Sequence, residues 1–422
     1  MNLLIFKSLI QLLNEFKSST YPADSFLSYF FKHQKKLGSH DRANIAEIFY
    51  GFIRNKRLIE FLAVTSEIRP CLLIYLVFIK GLSIKSLSSM IDEDELNWLA
   101  DKKAKKPHNI NPEIKLSLPD WLWEKLMSLY GVDQATNIGQ SLLEPADLNI
   151  RVNQLKQKKV DEVLAILQKD FSEVKDKIYP LHLSKLGISL PRGTPINRHH
   201  LFKDGSIEVQ DEGSQLISLM LNPKRGQMVA DFCAGAGGKT LAIADLMKNS
   251  GRVYAFDVSD KRLENLKTRL KRSGASNIYP QRIQNENDIK IKRLKHKFDR
   301  VLVDAPCTGF GTLRRNPDLK WRYGEKDLIE INVKQLNILN AAAGLCKKGA
   351  YLLYATCSIL KNENEEIVEK FLENHKGFKI LPPQQILKDI NIDEISRYLN
   401  LLPHQHGTDG FFAALMEKVS DE

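Results

Sequence analysis

Paired cysteines are missing from this chain. Five cysteines stand at 71, 233, 307, 346 and 357, an odd number with no two at Cys-x-x-Cys spacing. That pattern offers neither a zinc site nor a disulfide framework, and isolated thiols suit a reducing compartment. Long apolar runs are missing too. The longest, "CLLIYLVFI" at 71–79, is far short of the roughly 20 residues a membrane helix needs, and it predicts a buried helix. The opening "MNLLIFKSLI" has no basic start and no small-residue cleavage site, so it does not read as an export signal. Together these absences make a cytoplasmic protein the expectation. No internal repeat and no low-complexity tract is present, and acidic residues are outnumbered, 51 against 62 Lys and Arg.

What is present is the mix of a soluble globular chain, 43% hydrophobic and 27% charged over 422 residues, long enough for two or three domains. The net charge of +11 and a pI near 9.2 suit a polyanionic partner, with a merely basic surface as the bland alternative.

Residues 1–105 carry apolar side chains at three- and four-residue spacing, as in "IAEIFYGFIRNKRLIEFL", with little glycine, which predicts an all-helical domain. Ser39 and Asp41 supply helix-start chemistry. The charged, proline-closed "DKKAKKPHNINP", 101–112, predicts a linker. Over 115–205, a helix with Pro119 near its start and Gly131 at its end precedes the alternating "ADLNIRVNQL" and the helical "VDEVLAILQKDF", the pattern of a small α+β module. From 206 to 422 strand, loop and helix alternate. Strands are predicted in "QMVADF", "RVYAFDV", "FDRVLVDA" and "GAYLLYATCS", which makes this an α/β domain with a doubly wound, mostly parallel sheet.

The stretch "VADFCAGAGGKT", 229–240, tests two nucleotide-binding templates and fails both by one residue. A P-loop needs glycine where Cys233 stands, and the dinucleotide pattern needs it at Thr240. What remains is a strand ending in Asp231, a glycine loop Gly235-Ala236-Gly237-Gly238, and a helix. Asp257 closes the next strand about 20 residues on, where a carboxylate can bond ribose hydroxyls. A nucleoside-type cofactor without phosphates fits. "DAPC", 304–307, and "TCS", 356–358, then end two further strands, so Cys307 and Cys357 would share the crevice at the carboxyl ends of the sheet. Either cysteine alone would read as a small buried hydrophobe; two together there read as chemistry.

These residues resemble the RsmB/Nop/Sun family of S-adenosylmethionine-dependent RNA cytosine-5 methyltransferases. Residues 231–240 resemble its first motif, commonly CAAPGGK, with Ala236 where proline is usual. Asp257 matches the ribose-binding acid, and "DAPC" and "TCS" match the paired cysteine motifs. "LGSHDRANIAEIFYGFIRNKRLIE" is similar to the helical NusB-like RNA-binding domain of bacterial RsmB proteins.

The resemblance implies a Rossmann-like class I methyltransferase fold behind an all-helical NusB-like domain and a small α+β module. It implies Cys357 as nucleophile and Cys307 as the residue that helps release the product, the reverse of the DNA cytosine-5 enzymes. It implies an S-adenosyl-L-methionine site built from Cys233, Ala234, Gly235, Ala236, Gly237, Gly238, Lys239, Asp257, Asn285 and Asp304. Within that set Cys233 is expected to pack, and Asn285 stands where the family commonly has aspartate. The implied partner is RNA, ribosomal RNA in the first place. Transfer RNA is the alternative substrate, and a vestigial RNA-binding assembly factor is the alternative of another class. Arg314, Arg315, Lys320 and Arg322 are expected to hold phosphates, with Trp321 available to stack a base. "KIKRLKHK", 290–297, reads as solvated surface, and His404 and His406 as part of a closing loop rather than a metal site.

Overall fold

A computed structural model describes residues 1–390 and 396–421. It divides into two compact units. One comprises Met1–Glu144 together with Leu313–Gly324, the other Pro145–Thr312 with Glu325–Glu422. Neither unit follows the boundaries that composition suggests. A segment that reads as catalytic domain, 313–324, belongs to the helical unit.

The first unit is helical. Leu3–Lys17, Ala23–His33, Ser39–Arg54, Lys56–Ala63 and Ile68–Ile74 enclose a core in which Phe6, Leu9, Leu12, Ile45, Phe49 and Leu72 are fully buried. The spacing of those residues puts one apolar stripe on each helix. The run 71–79 is buried in its first seven residues, its last turn widened to a π-helix, Tyr75–Ile79. Among the described residues no single helix is long and apolar enough to cross a membrane. The expected linker is partly helix. Glu93–Ala104 runs into it, started by a capping box in which the Asp92 carboxylate accepts the Glu95 N–H at 2.9 Å and the Glu95 carboxylate accepts the Asp92 N–H at 3.3 Å. The helix Asp120–Leu143 breaks at Gly131, whose φ of 77° no other residue type adopts cheaply.

Segment 313–324 corrects a reading made from composition. Trp321 donates its indole N–H to the Ile53 carbonyl at 2.9 Å, and the buried Lys320 donates Nζ to the Arg54 carbonyl at 2.8 Å. Both acceptors lie in the last turn of Ser39–Arg54, where helix carbonyls have no partner within the helix. Arg322 lies 3.6 Å from Asp318, and the Arg314 side chain reaches the Glu144 carbonyl at 3.4 Å. Lys320 is thus an interior group of the helical unit rather than a phosphate-binding one, and Trp321 is half-buried with its indole N–H committed to Ile53.

The second unit holds two sheets. The smaller is antiparallel and ordered β2-β3-β1-β4, from β1 (Leu148–Val152), β2 (Tyr179–Pro180), β3 (Gly187–Leu190) and β4 (Ile207–Val209). The larger has eight strands: β5 (Met228–Asp231), β6 (Arg252–Asp257), β7 (Ile278–Arg282), β8 (Phe298–Asp304), β9 (Cys346–Thr356), β10 (Phe378–Leu381), β11 (Leu399–Leu401) and β12 (Phe411–Lys418). Its order is β10-β12-β9-β8-β5-β6-β7, with β11 also on β12. From β9 to β7 all pairs are parallel, and β12 closes the set antiparallel to β9.

Side chains alternate across the pleat, so neighbouring residues of one strand feed opposite layers. Val301 and Leu352 pack with Ile338 and Phe371 of the helices Glu325–Ala343 and Glu365–Asn374. Leu302 and Leu353 pack with Leu216, Ile243 and Leu266 of Glu212–Met220, Gly238–Leu246 and Asp260–Ser273. The doubly wound α/β architecture is therefore as expected. The small sheet is fastened to the second of these layers by polar groups. Arg151 of β1 pairs with Asp245 at 2.5 Å, both buried, and Glu208 of β4 receives Arg269 and Arg272, each at 2.9 Å.

Candidate active site

The carboxyl ends of β9, β8, β5 and β6 lie side by side, and each delivers one part of a single site. β5 ends in Asp231, fully buried, whose Oδ2 accepts the Thr240 hydroxyl at 2.6 Å while Oδ1 has no protein partner. Burial pushes this carboxyl up to about 7, and the Thr240 hydroxyl opposes the shift. The loop that follows turns on Gly235 and Gly237 at φ of 56° and 83°, conformations that other residues rarely adopt. The two glycines are needed for different reasons. A Cβ on Gly237 would strike Leu266 Cδ1 at 2.1 Å, whereas a Cβ on Gly235 would project into open space.

Hydrogen bonds tie this loop to its neighbours on both sides. The Gly235 N–H donates to Asp257 Oδ2 at 2.8 Å, joining β5 to β6, and Asp257 Oδ1 accepts the Ser259 N–H at 2.8 Å. Lys239 Nζ lies 2.7 Å from Asp304 Oδ2, joining the loop to β8. Burial alone would lower the Lys239 ammonium, but the Asp304 carboxylate outweighs it and the net shift is upward, so the lysine is held charged. Arg269 grips the loop from outside by donating Nη1 to the Ala236 carbonyl at 2.9 Å.

The two cysteines meet across the β8–β9 pair. Register sets Asp304 beside Ala355, and from there each strand runs on to its thiol. The two Sγ atoms are 3.4 Å apart, both half-buried. The hydrogen bond shared with Cys357 and burial drive the Cys307 thiol well above its ordinary range.

Eleven of the twelve residues named from sequence lie in these strand ends and their loops: Cys233 to Lys239, Asp257, Asp304, Cys307 and Cys357. Burial pushes the Cys233 thiol far up, as suits a packed neutral side chain. Asn285 lies on an exposed loop after β7, the strand beside β6, with its Oδ1 accepting the Asn287 N–H at 2.9 Å; the same loop donates the Ile283 N–H to the Asp257 carbonyl at 3.1 Å. Sequence reasoning did not find Glu363, which is fully buried and bonds to the loops of both cysteines. Its signal was weak, since "LKNENEE" reads as a solvated helix start.

Asp170, His199 and His200 are the one group at metal-ligand spacing among the described residues. The bonds of His199 are already used: Nδ1 accepts the Leu201 N–H at 3.3 Å and Nε2 faces Asp170 at 3.0 Å, the work of a helix cap.

A glycine loop open above Gly235, an unpartnered buried Asp231 oxygen and the Asp257 carboxylate fit a nucleoside-bearing, cationic cofactor. With two thiols at the neighbouring strand ends, the fold and site are those of the Rossmann-like methyltransferase class. A profile of the family described as 16S rRNA methyltransferase RsmB/F matches residues 218–417, and one of the RsmF/B-like ferredoxin-like domain matches 118–196. The chain belongs to this RsmB/F family. The Bacillus subtilis protein named "Probable ribosomal RNA small subunit methyltransferase B" is 34% identical over 72% of this chain and 66% of its own length. The human "28S rRNA (cytosine(4447)-C(5))-methyltransferase" is 29% identical over 73% of this chain and 39% of its own. The match thus spans just under two thirds of the Bacillus protein. The crystal structure of PH0851 superposes with a TM-score of 0.81 at 28% identity, covering 99% of both chains.

Proposed function

We propose that this protein methylates carbon 5 of a cytosine in RNA, with ribosomal RNA as the substrate class, through a covalent cysteine–cytosine adduct. The observation that carries the reading is the 3.4 Å approach of Cys307 and Cys357 beside the cofactor loop. Methyl transfer to an exocyclic nitrogen or a ribose oxygen needs no thiol. Carbon 5 does, because the ring carbon is a poor nucleophile until a thiolate has added to carbon 6. The choice of ribosomal RNA rests on the relatives, both named for it.

The Gly235–Gly238 loop, Asp257 and Asp231 would hold S-adenosylmethionine. When bound, the cofactor supplies a methyl group on a positive sulfur, the electrophile that an activated carbon 5 requires. Cys357 attacks as thiolate. Its sulfur bonds carbon 6, and the ring electron pair shifts to carbon 5. Once carbon 5 carries the methyl group, its proton passes to water acting as base, the electron pair re-forms the carbon 5–carbon 6 double bond, and Cys357 leaves carbon 6 as thiolate, with the Cys307 thiol assisting this release. Lys239 and Asp304, already paired, present a charged edge to the target base. The base must be unpaired or flipped out for carbon 6 to be reached.

Adduct trapping tests the assignment. Cys307→Ala and Cys357→Ala proteins are incubated with S-adenosylmethionine and unmethylated ribosomal RNA, then run on a denaturing gel. A denaturation-resistant band with Cys307→Ala alone is expected. A band with Cys357→Ala alone reverses the two roles, and no band with either on ribosomal or transfer RNA removes the covalent reading.

A further inference from the structure

The mechanism leaves one buried charged group unused. Glu363 follows β9 in a short helical turn, Lys361–Glu363, and has no exposed surface. Its carboxylate receives four donors. Oε1 accepts the Thr308 N–H at 2.8 Å and Gln335 Nε2 at 3.2 Å. Oε2 accepts the Thr308 hydroxyl at 2.6 Å and, closer still, the Ser358 hydroxyl. Thr308 follows Cys307, and Ser358 follows Cys357. One side chain therefore holds the residue next to each thiol.

Neighbouring bonds extend the clamp. Gln335 also donates to the Pro306 carbonyl at 3.0 Å, and the Tyr354 hydroxyl donates to the Glu363 backbone carbonyl at 2.6 Å. Asn364 accepts the Thr356 hydroxyl at 2.5 Å and donates to the Ser358 carbonyl at 3.0 Å. Burial pushes the Glu363 carboxyl up, and the bonds from Ser358, Thr308 and Gln335 oppose that shift. A buried polar group so placed is costly unless every bond is made, and here every bond is made.

We propose that Glu363 is a positioning residue that locks the two cysteine-bearing loops together and divides the work between the two thiols. The lock is the four-donor clamp. The division follows from charge: Glu363 accepts the Thr308 N–H beside Cys307 and adds to the upward shift of that thiol. An anion beside Cys307 favours its neutral thiol, and the shift of Cys307 has the same sign. This inference rests on the covalent reading for its kinetic consequence, but its electrostatic part can be measured without RNA.

The experiment compares Glu363→Gln, Glu363→Asp and Thr308→Val with the unaltered chain. In RNA-free protein, iodoacetamide alkylation of each cysteine is followed by mass spectrometry from pH 6 to 10. Glu363→Gln removes the charge and turns one acceptor into a donor, and Cys307 alkylation at pH 8 should quicken about tenfold, one unit of thiol ionisation. Thr308→Val keeps the charge and should leave that rate within twofold. In the methylation assay, Glu363→Gln and Glu363→Asp should lower kcat at least tenfold and leave KM for S-adenosylmethionine within twofold, since Glu363 does not line the cofactor loop. Unchanged Cys307 alkylation in Glu363→Gln overturns the division of labour. Should that variant not fold, Glu363→Asp keeps the question open to refutation, because wild-type kcat there would overturn the clamp. A chain that methylates no RNA, with the alkylation shift intact, would sink the methyltransfer reading and not this one.

Discussion

A methyl group added to Gly235 separates cofactor binding from folding. Gly235 sits at φ 56°, so alanine there incurs the left-handed penalty of about 1–2 kcal/mol. The stiffer unfolded chain returns about 0.4–1 kcal/mol, leaving a net cost near 1 kcal/mol. Among the described residues, no atom beyond the chain neighbours lies within 4 Å of the new Cβ, so steric repulsion adds nothing in the free protein. The melting temperature should fall by only about 2–4 °C. The same open space is where the bound cofactor would lie, and an extra methyl group in a filled cradle costs about 1–3 kcal/mol. That is about a five- to hundredfold rise in Kd, at 1.4 kcal/mol per tenfold. Gly193→Ala is the matched control, since Gly193 has φ 86° and also has no neighbour within 4 Å of its would-be Cβ, but lies outside the loop. Scanning fluorimetry gives the stabilities and titration calorimetry with S-adenosylhomocysteine gives the affinities. If Gly235→Ala binds as the unaltered chain does, or Gly193→Ala loses as much affinity, the loop is not the cofactor cradle.

Asp231 predicts a pH signature in the cofactor-free protein. Its folded-state carboxyl titrates at about 7, above the ordinary 3.8, so the folded chain binds the extra proton between those values. Stability should decline as pH rises from about 4 to about 7 and then level off, with Asp231→Asn showing a shallower decline in urea unfolding. Equal slopes for both proteins would contradict the buried, half-satisfied carboxyl. Arg269→Met removes the 2.9 Å bond to the Ala236 carbonyl and one partner of Glu208. Affinity for S-adenosylhomocysteine should drop about three- to tenfold, the range of a hydrogen bond from a charged donor; wild-type affinity would mean that the loop holds its shape without it.

Strand ends and their chemistry were legible because they are local. A glycine loop, an acid one strand on and two cysteines after apolar runs can be read from spacing alone, and topology then had few ways to arrange them. β7 was not legible, because Pro280 interrupts "IYPQR" and argues against a strand. It is tolerated because β7 is the edge of the sheet, where a missing N–H need not be paired. Segment 313–324 misled for a different reason. Arg, Lys and Trp in one run have the composition of an RNA-binding surface, but burial was decided by the Ile53 and Arg54 carbonyls, some 260 residues earlier. Glu363 was hidden the same way. Its partners come from β8, β9 and the helix Glu325–Ala343, and no window of sequence contains them together.

The chain leaves the catalytic unit after Thr312 and returns at Glu325, having completed the core of the helical unit on the way. A helical domain that owns twelve residues from the middle of its neighbour cannot be gained, lost or exchanged as a cassette. Cutting at Glu144 would leave the last turn of Ser39–Arg54 without Trp321 and Lys320, and the remaining chain would display both to water. Evolution of either half is therefore coupled through shared covalent territory, and a recombination that swaps only the amino-terminal stretch must also bring a matching strap from beyond the second strand end.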